Sequence, residues 1–203
     1  MKIGIIVAMD KEFELLQGIQ LPQHEIFLVK SGIGKVNAAI ATINLLNEHH
    51  PDLVINSGVA GGIDTCLNVA DLVIGSQTCY HDFYAGDVSD HLKELGFEKF
   101  IQADVYALQV AKQVAGSRTD VKFGLGCTGD QFITSRTELD RIKSKFPAGL
   151  AVDMESAAIA QTCHIYNVPF VSFRIISDTP GVDKHIQQYE NFWGEMANRS
   201  FGI

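Results

Sequence analysis

The chain has 203 residues, 46% of them hydrophobic, with 16 basic against 24 acidic side chains and a formal net charge of −8. That length supports a sizeable core without disulfides or metal, and that hydrophobicity excludes intrinsic disorder, collagen and low-complexity classes. There is no lysine/arginine run of the kind that marks nucleic-acid binding, and the acidic balance disfavours an anionic membrane surface, so small molecules or other proteins are the expected partners.

A strand at Ile3–Val7 opens the chain, and the run Ile3–Ala8 is too short for a signal peptide's apolar region of roughly 7–15 residues. Glu12 follows in the first turn of a helix, where acidic residues ordinarily answer the helix dipole. After a strand at Ile26–Val29, Lys30-Ser31-Gly32-Ile33-Gly34-Lys35 lacks the GxxxxGK[ST] phosphate loop, and its GxGxxG pattern breaks at Asn37. A tight turn into the helix Lys35–Glu48 is the modest reading, with His49-His50-Pro51 stopping that helix. The strand Leu53–Asn56 leads into Ser57-Gly58-Val59-Ala60-Gly61-Gly62, read as a loop whose glycines admit a close ligand or simply a turn.

Further strands fall at Leu72–Ile74, Phe123–Gly126, Leu150–Val152 and Phe170–Ile176, with helices at Ala103–Ala115, Ser135–Phe146 and Met154–Tyr166. Ser135 and Glu138 have capping-box spacing. Most strands are continuous β-branched runs, the pattern of burial on both faces, and they alternate with helices. The expectation is a single α/β domain over residues 1–203, with a mostly parallel sheet and ligands held in the loops after its strands. Cys66, Cys79, Cys127 and Cys163 are widely spaced, with no CxxC and no HExxH, so neither a disulfide framework nor a zinc site is expected. Cys163 and His164 read as buried helix residues rather than a nucleophile pair. No run approaches the roughly 20 apolar residues of a membrane span, and a reduced, cytoplasmic compartment is expected.

Two carboxylate positions stand out among the loops. Asp153-Met154-Glu155 runs from a strand into a helix of small residues, where a carboxylate at the positive helix end stays ionised. Asp178 ends a buried apolar strand, where apolar surroundings raise a carboxyl pKa towards that of a general acid. Each is also an ordinary cap or turn residue. Phe132 sits beside the loop Gly129–Ile133, although a lone phenylalanine is more commonly core.

Taken together, GIIVAMDKE, SGIGKVNAA, NSGVAGG, TGDQFI, VDMESAAIA and RIISD occur in one order. In that combination the chain closely resembles the bacterial 5′-methylthioadenosine/S-adenosylhomocysteine nucleosidases of the nucleoside phosphorylase superfamily, from Met1 to about Ser200. The resemblance implies a mixed, mostly parallel sheet twisted towards a barrel and flanked by helices in a three-layer arrangement, acting as a homodimer without metal or organic cofactor. It implies that water cleaves the N-glycosidic bond of an adenine nucleoside. Asp178 would protonate N7 of the leaving adenine and Glu12 would activate the water. Glu155 would bind the ribose hydroxyls with Met154 beside it, Phe132 would stack on adenine and the Ile133 backbone would read the purine edge. Ser177 would orient Asp178, Arg174 would stand near the water and carboxylates, and Tyr189 would close over the substrate. Met9, Val59, Ala60 and Gly61 complete the implied substrate-binding set. Asp153 stands where that family commonly has glutamate, Val59 where it commonly has a hydroxyl residue, and the segment Phe83–Phe100 does not follow its pattern.

Three other readings stay open. A nucleoside phosphorylase would need cations for phosphate, yet the first two loops offer Lys11, Lys30 and Lys35, and the first arginine is Arg118. A hydrolase of another nucleoside, such as futalosine or inosine, would share the chemistry. A non-catalytic nucleoside binder would have no need of a leaving-group acid.

Overall fold

The computed structural model describes residues 1–83, 98–179 and 184–197. In chain order these residues form β1 (Lys2–Val7), α1 (Asp10–Leu16), β2 (Glu25–Lys30), α2 (Lys35–His49), β3 (Leu53–Gly62), β4 (Leu72–Tyr80), β5 (Ile101–Gln102), α3 (Val105–Ala115), β6 (Val121–Thr128), α4 (Arg136–Lys145), β7 (Gly149–Asp153), α5 (Ser156–Ile165), β8 (Phe170–Asp178) and α6 (His185–Asn191), followed by a π-helical turn at Phe192–Met196. Most of the divergent segment Phe83–Phe100 lies outside the described residues, as does the chain end at Asn198–Ile203.

All eight strands join one sheet. β1 pairs in parallel with β2 and β3, and parallel pairs also join β3 to β8, β4 to β6 and β6 to β7. Antiparallel pairs join β3 to β7, β4 to β5 and β4 to β8. Following the pairs from β3 through β7, β6, β4 and β8 returns to β3, so five strands close into a ring. β3 makes this possible. Its first residues, Leu53–Asn56, pair with β1, and its last, Gly61 and Gly62, pair with β7, while β8 lies along its other edge.

The reading of Ser57–Gly62 as a loop is therefore corrected: these residues continue β3. Glycine normally weakens a strand interior, but it is retained where another group comes close. At Gly58, a side-chain carbon would lie 2.6 Å from both Arg174 Nη1 and Glu12 Oε1. The burial of β1 is continuous after its first residue, as expected of a strand covered on both faces, whereas β3 alternates.

Helices cover the sheet through apolar stripes. Ala38, Leu45 and Leu46 of α2 pack with Ala158, Ile159 and Cys163 of α5 over Ile6 and Val54. Leu139 and Ile142 of α4 pack against Cys127 and Val152, and Ala111 of α3 packs near Ile74 and Val171. Asp104 caps α3 by accepting from Ala107 N at 2.8 Å, and Ser135 caps α4 by accepting from Glu138 N at 3.3 Å. The N-cap of α2 is Gly34, at φ 96°, which has no side chain to offer. Cys163 is buried as expected, but His164 is exposed. All four cysteines are free thiols, with Cys79 and Cys127 facing each other across β4 and β6 at 3.9 Å between sulfurs.

Candidate active site

One cavity, with about 650 Å³ of empty space partly open to solvent, gathers the loops after β1, β6, β7 and β8 against the second half of β3. Met9, Glu12, Val59, Ala60, Gly61, Phe132, Ile133, Met154, Glu155, Ser177, Asp178 and Tyr189 all line it. Arg174 is the one expected site residue that stands behind this wall rather than in it.

Glu12 shows how a local cap becomes a site. Its carboxylate reaches back over the start of α1, so that Oε2 accepts from Ala8 N at 2.8 Å and Met9 N at 2.9 Å. Its other oxygen, Oε1, accepts from Val59 N of β3 at 2.9 Å. Asp10, two residues earlier, is instead exposed and pairs with Lys30 on the surface. An ionised carboxylate offers about four acceptor positions, so three N–H donors hold Glu12 still and leave room for a water. The residue is 1% exposed, and the absence of a side chain at Gly58 keeps its approach open.

Behind it lies a buried ionic network. Arg174 Nε lies 3.1 Å from Asp153 Oδ2, Nη2 donates to Asn56 Oδ1 at 2.6 Å, and Nη2 stands 3.5 Å from Glu155 Oε2. Burial alone would lower the guanidinium's pKa, but the charges of Asp153, Glu155 and Glu12 raise it above its ordinary value. Asp153 also accepts from Thr128 Oγ1 at 2.6 Å and from the backbone N of Glu155 and Ser156, both at 3.1 Å. This carboxylate braces the turn from β7 into α5, with its charge matched by Arg174.

Glu155 opens α5 and accepts from Gly34 N, at the start of α2, at 2.9 Å. The expectation that the helix end keeps this carboxylate fully ionised is corrected: burial pushes it up to about 7, assisted by the charges of Asp153 and Glu12 and opposed by Arg174 and the Gly34 bond. Asp178, 2% exposed, accepts from Ser177 Oγ at 2.7 Å. Burial raises its pKa, while the Ser177 bond and the charge of His185 act in the other direction. A buried carboxyl with one hydroxyl donor retains a proton readily, which suits a group that must donate one. Phe132, 52% exposed, meets Tyr189 edge-on at 5.8 Å, and Tyr189 meets Trp193 in the same way at 6.1 Å. Tyr189 Oη lies 3.7 Å from Met9 Sδ. These aromatic faces and Met9 make one side of the cavity apolar.

Sequence reading passed over Ile33 and Gln131 in the cavity wall, and Asn56 and Ser156 beside Arg174. Asn56 carried a signal, since an amide in an otherwise apolar strand needs a buried partner. Ile33 and Gln131 lie on loops and Ser156 at the start of α5, and their contacts depend on strands distant in sequence meeting.

A sequence model described as the phosphorylase superfamily matches residues 8–203. The 5′-methylthioadenosine/S-adenosylhomocysteine nucleosidase of Haemophilus influenzae is 39% identical, with 100% of this chain and 96% of that protein covered. Among solved structures, that of the same-named enzyme from Neisseria meningitidis in complex with methylthio-immucillin-A superposes with TM-score 0.84 at 32% identity, covering 98% of this chain and 95% of the other. The futalosine hydrolase of Helicobacter pylori superposes with TM-score 0.83 at 30% identity, covering 100% and 94%.

Proposed function

The chain belongs to the phosphorylase superfamily, and from that premise we propose that it hydrolyses the N-glycosidic bond of 5′-methylthioadenosine and S-adenosylhomocysteine, releasing adenine and a 5-thio-substituted ribose. The carrying observation is the convergence of three carboxyl groups, Glu12, Glu155 and Asp178, from three separate strand ends into one cavity beside Phe132. As the bond lengthens, positive charge develops on the ribose and negative charge on the base, as in glycoside cleavage generally. Asp178 delivers its proton to the purine N7, so that adenine leaves neutral, with Ser177 orienting the acid. Glu12 takes a proton from the water whose oxygen bonds to the anomeric carbon. Glu155 holds the ribose hydroxyls, Met154 packs beside it, and Phe132 and the Ile133 backbone hold the base. Met9, Val59, Ala60, Gly61 and Tyr189 enclose the remainder, and Arg174 fixes the charge balance behind the carboxylates.

Water rather than phosphate is favoured as nucleophile by the cavity's charge. No lysine or arginine lines it among the described residues, and Arg174 is already engaged by Asp153 and Asn56. A phosphate dianion needs cationic donors or a free helix N-terminus, and the N-terminus of α2 is occupied by Glu155. A second reading, hydrolysis of futalosine, is favoured by the likeness to the Helicobacter pylori enzyme.

Incubation with 5′-methylthioadenosine, S-adenosylhomocysteine, futalosine and inosine, with and without phosphate, tests both. Release of adenine at a rate independent of phosphate is expected. Cleavage of futalosine alone would transfer the assignment to the second reading, and a rate that scales with phosphate would overturn hydrolysis.

The proposal extends to a single domain over residues 1–203, a homodimer and a cytoplasmic location. Supporting the dimer, α2 exposes Val36 (69%) and Ile40 (54%) on the helix that follows the cavity residue Ile33. Light scattering at twice the chain mass of 22.2 kDa is the expected result.

A further inference from the structure

Helix α2 starts at a glycine and carries no acidic residue in its first turn, so its leading N–H groups must find acceptors elsewhere. Gly34 N donates to Glu155, and Lys35 N donates to Asp130 Oδ1 at 2.8 Å. Both acceptors belong to loops of the cavity. Asp130 lies two residues before Phe132 in the turn after β6, and its own N–H donates to Asp82 Oδ2 at 2.9 Å. Asp82, just beyond β4, also receives Lys35 Nζ on both oxygens, at 2.9 and 2.8 Å. The neighbouring His81 grips the same turn from beneath, because a side-chain carbon at Gly129 would lie 2.3 Å from its Cε1 and Nε2. Its buried ring has no hydrogen-bond partner among the described residues and acts there as a packing surface.

None of Lys35, His81, Asp82 and Asp130 lines the cavity. Yet through them the turn that carries Phe132 and Ile133 is tied to β4 and to the start of α2. Resting on the proposed purine-releasing reaction, we propose that Asp82 is a positioning residue for the base-binding turn, fixing Phe132 and the Ile133 backbone through Asp130 and Lys35. Its own bonds run to the purine side, through Asp130 N and Lys35 Nζ, whereas Glu155 is held by the backbone of Gly34 and not by Asp82 or its partners' side chains. Among the described residues, Glu12 and Asp178 have no hydrogen bond to this network, so the acid–base step is left intact once the base is bound.

The test is Asp82→Ala, with Asp82→Asn as the milder variant that retains an acceptor for Asp130 N. With 5′-methylthioadenosine as substrate, Asp82→Ala is expected to raise KM about tenfold while kcat changes less than about threefold. Inhibition by adenine should weaken by the same factor, and inhibition by 5-methylthioribose should not. Asp82→Asn should fall between the two proteins. An unchanged adenine affinity overturns the proposal, as does a lower kcat at unchanged KM, or an equal loss of affinity for both products. If Asp82→Ala does not fold, Asp82→Asn and Asp130→Asn are read by the same criteria. If the wild-type protein releases no base from any nucleoside, the reaction assignment fails. Adenine binding by calorimetry then decides the role of Asp82 on its own.

Discussion

At the residue scale, the proposed acid Asp178 and the proposed base Glu12 are held by different means, and their isosteric variants should fail differently. Asp178→Asn still accepts the Ser177 hydroxyl, so it should fold normally and lose about 10²–10⁴-fold in kcat, the usual contribution of a positioned acid. Glu12→Gln should lose activity on the same scale but also melt earlier. Its amide nitrogen must face one of the N–H groups of Ala8, Met9 or Val59, and leaving a buried donor unmatched costs about 1–3 kcal/mol. Calorimetry on both variants separates the two outcomes. Glu155 supplies a pH signature. With its carboxyl near 7 against an ordinary 4.5, the folded state retains a proton that the unfolded state has released. Stability should therefore be greatest below pH 4.5 for this group and decline as pH rises through about 7, and Glu155→Gln should flatten that slope. If Glu155 holds the ribose as proposed, substrate affinity should run the other way, with KM falling as pH rises through about 7, because only the ionised form can accept from both hydroxyls. That Glu12, Glu155 and Asp178 would meet in one cavity was legible from motif order. Arg174's actual company of Asp153, Asn56 and Glu155 was not, because it depends on strands distant in sequence meeting side by side.

At the scale of elements, the cap of α4 was legible and the glycine-rich strand was not. Ser135 accepts from Glu138 N as the spacing predicts, since a cap needs only four consecutive residues, while the Glu138 carboxylate takes the Ser135 hydroxyl rather than its backbone N–H. Asp104 offers a control remote from the cavity: Asp104→Ala should cost about 1 kcal/mol in a denaturant titration and leave kcat/KM unchanged. Ser57–Gly62 looks like a turn because nothing local announces why glycine is present. The reason is spatial, in the side chains that cross Gly58 from α1 and β8. Gly58→Ala places a methyl group 2.6 Å from Glu12 and Arg174, so it should destabilise by about 1–3 kcal/mol and abolish turnover together. Wild-type turnover in that variant would contradict the close approach. The two-residue β5 and the aromatic π-helical turn were equally hidden, one being too short to show periodicity and the other owing its place to Phe192 packing on Ile175.

At the scale of the whole molecule, the alternation of strand and helix foretold an α/β sheet, while its barrel-like closure, borne out by the ring of five strands, came from the family resemblance alone, since register and strand order carry no local signature. The cavity draws on residues from Ala8 to Tyr189, so its occupation should stabilise the protein as one unit. Adenine at about 100 times its Kd is expected to add about 2.7 kcal/mol and to shift a single melting transition rather than one of two. A transition that splits on ligand addition would contradict a single cooperative unit. The forked pairing of β3 has one more consequence, for the behaviour of the protein in crowded solution. Because β3 shares its length between β1 and β7, and β4 shares its own between β8 and β5, a sheet of eight strands ends in only two free borders among the described residues. One is β5, two residues long, which offers almost no template. The other is β2, an apolar ribbon fenced by Glu25 and Lys30, and strand-to-strand aggregation of the folded protein would have to begin there.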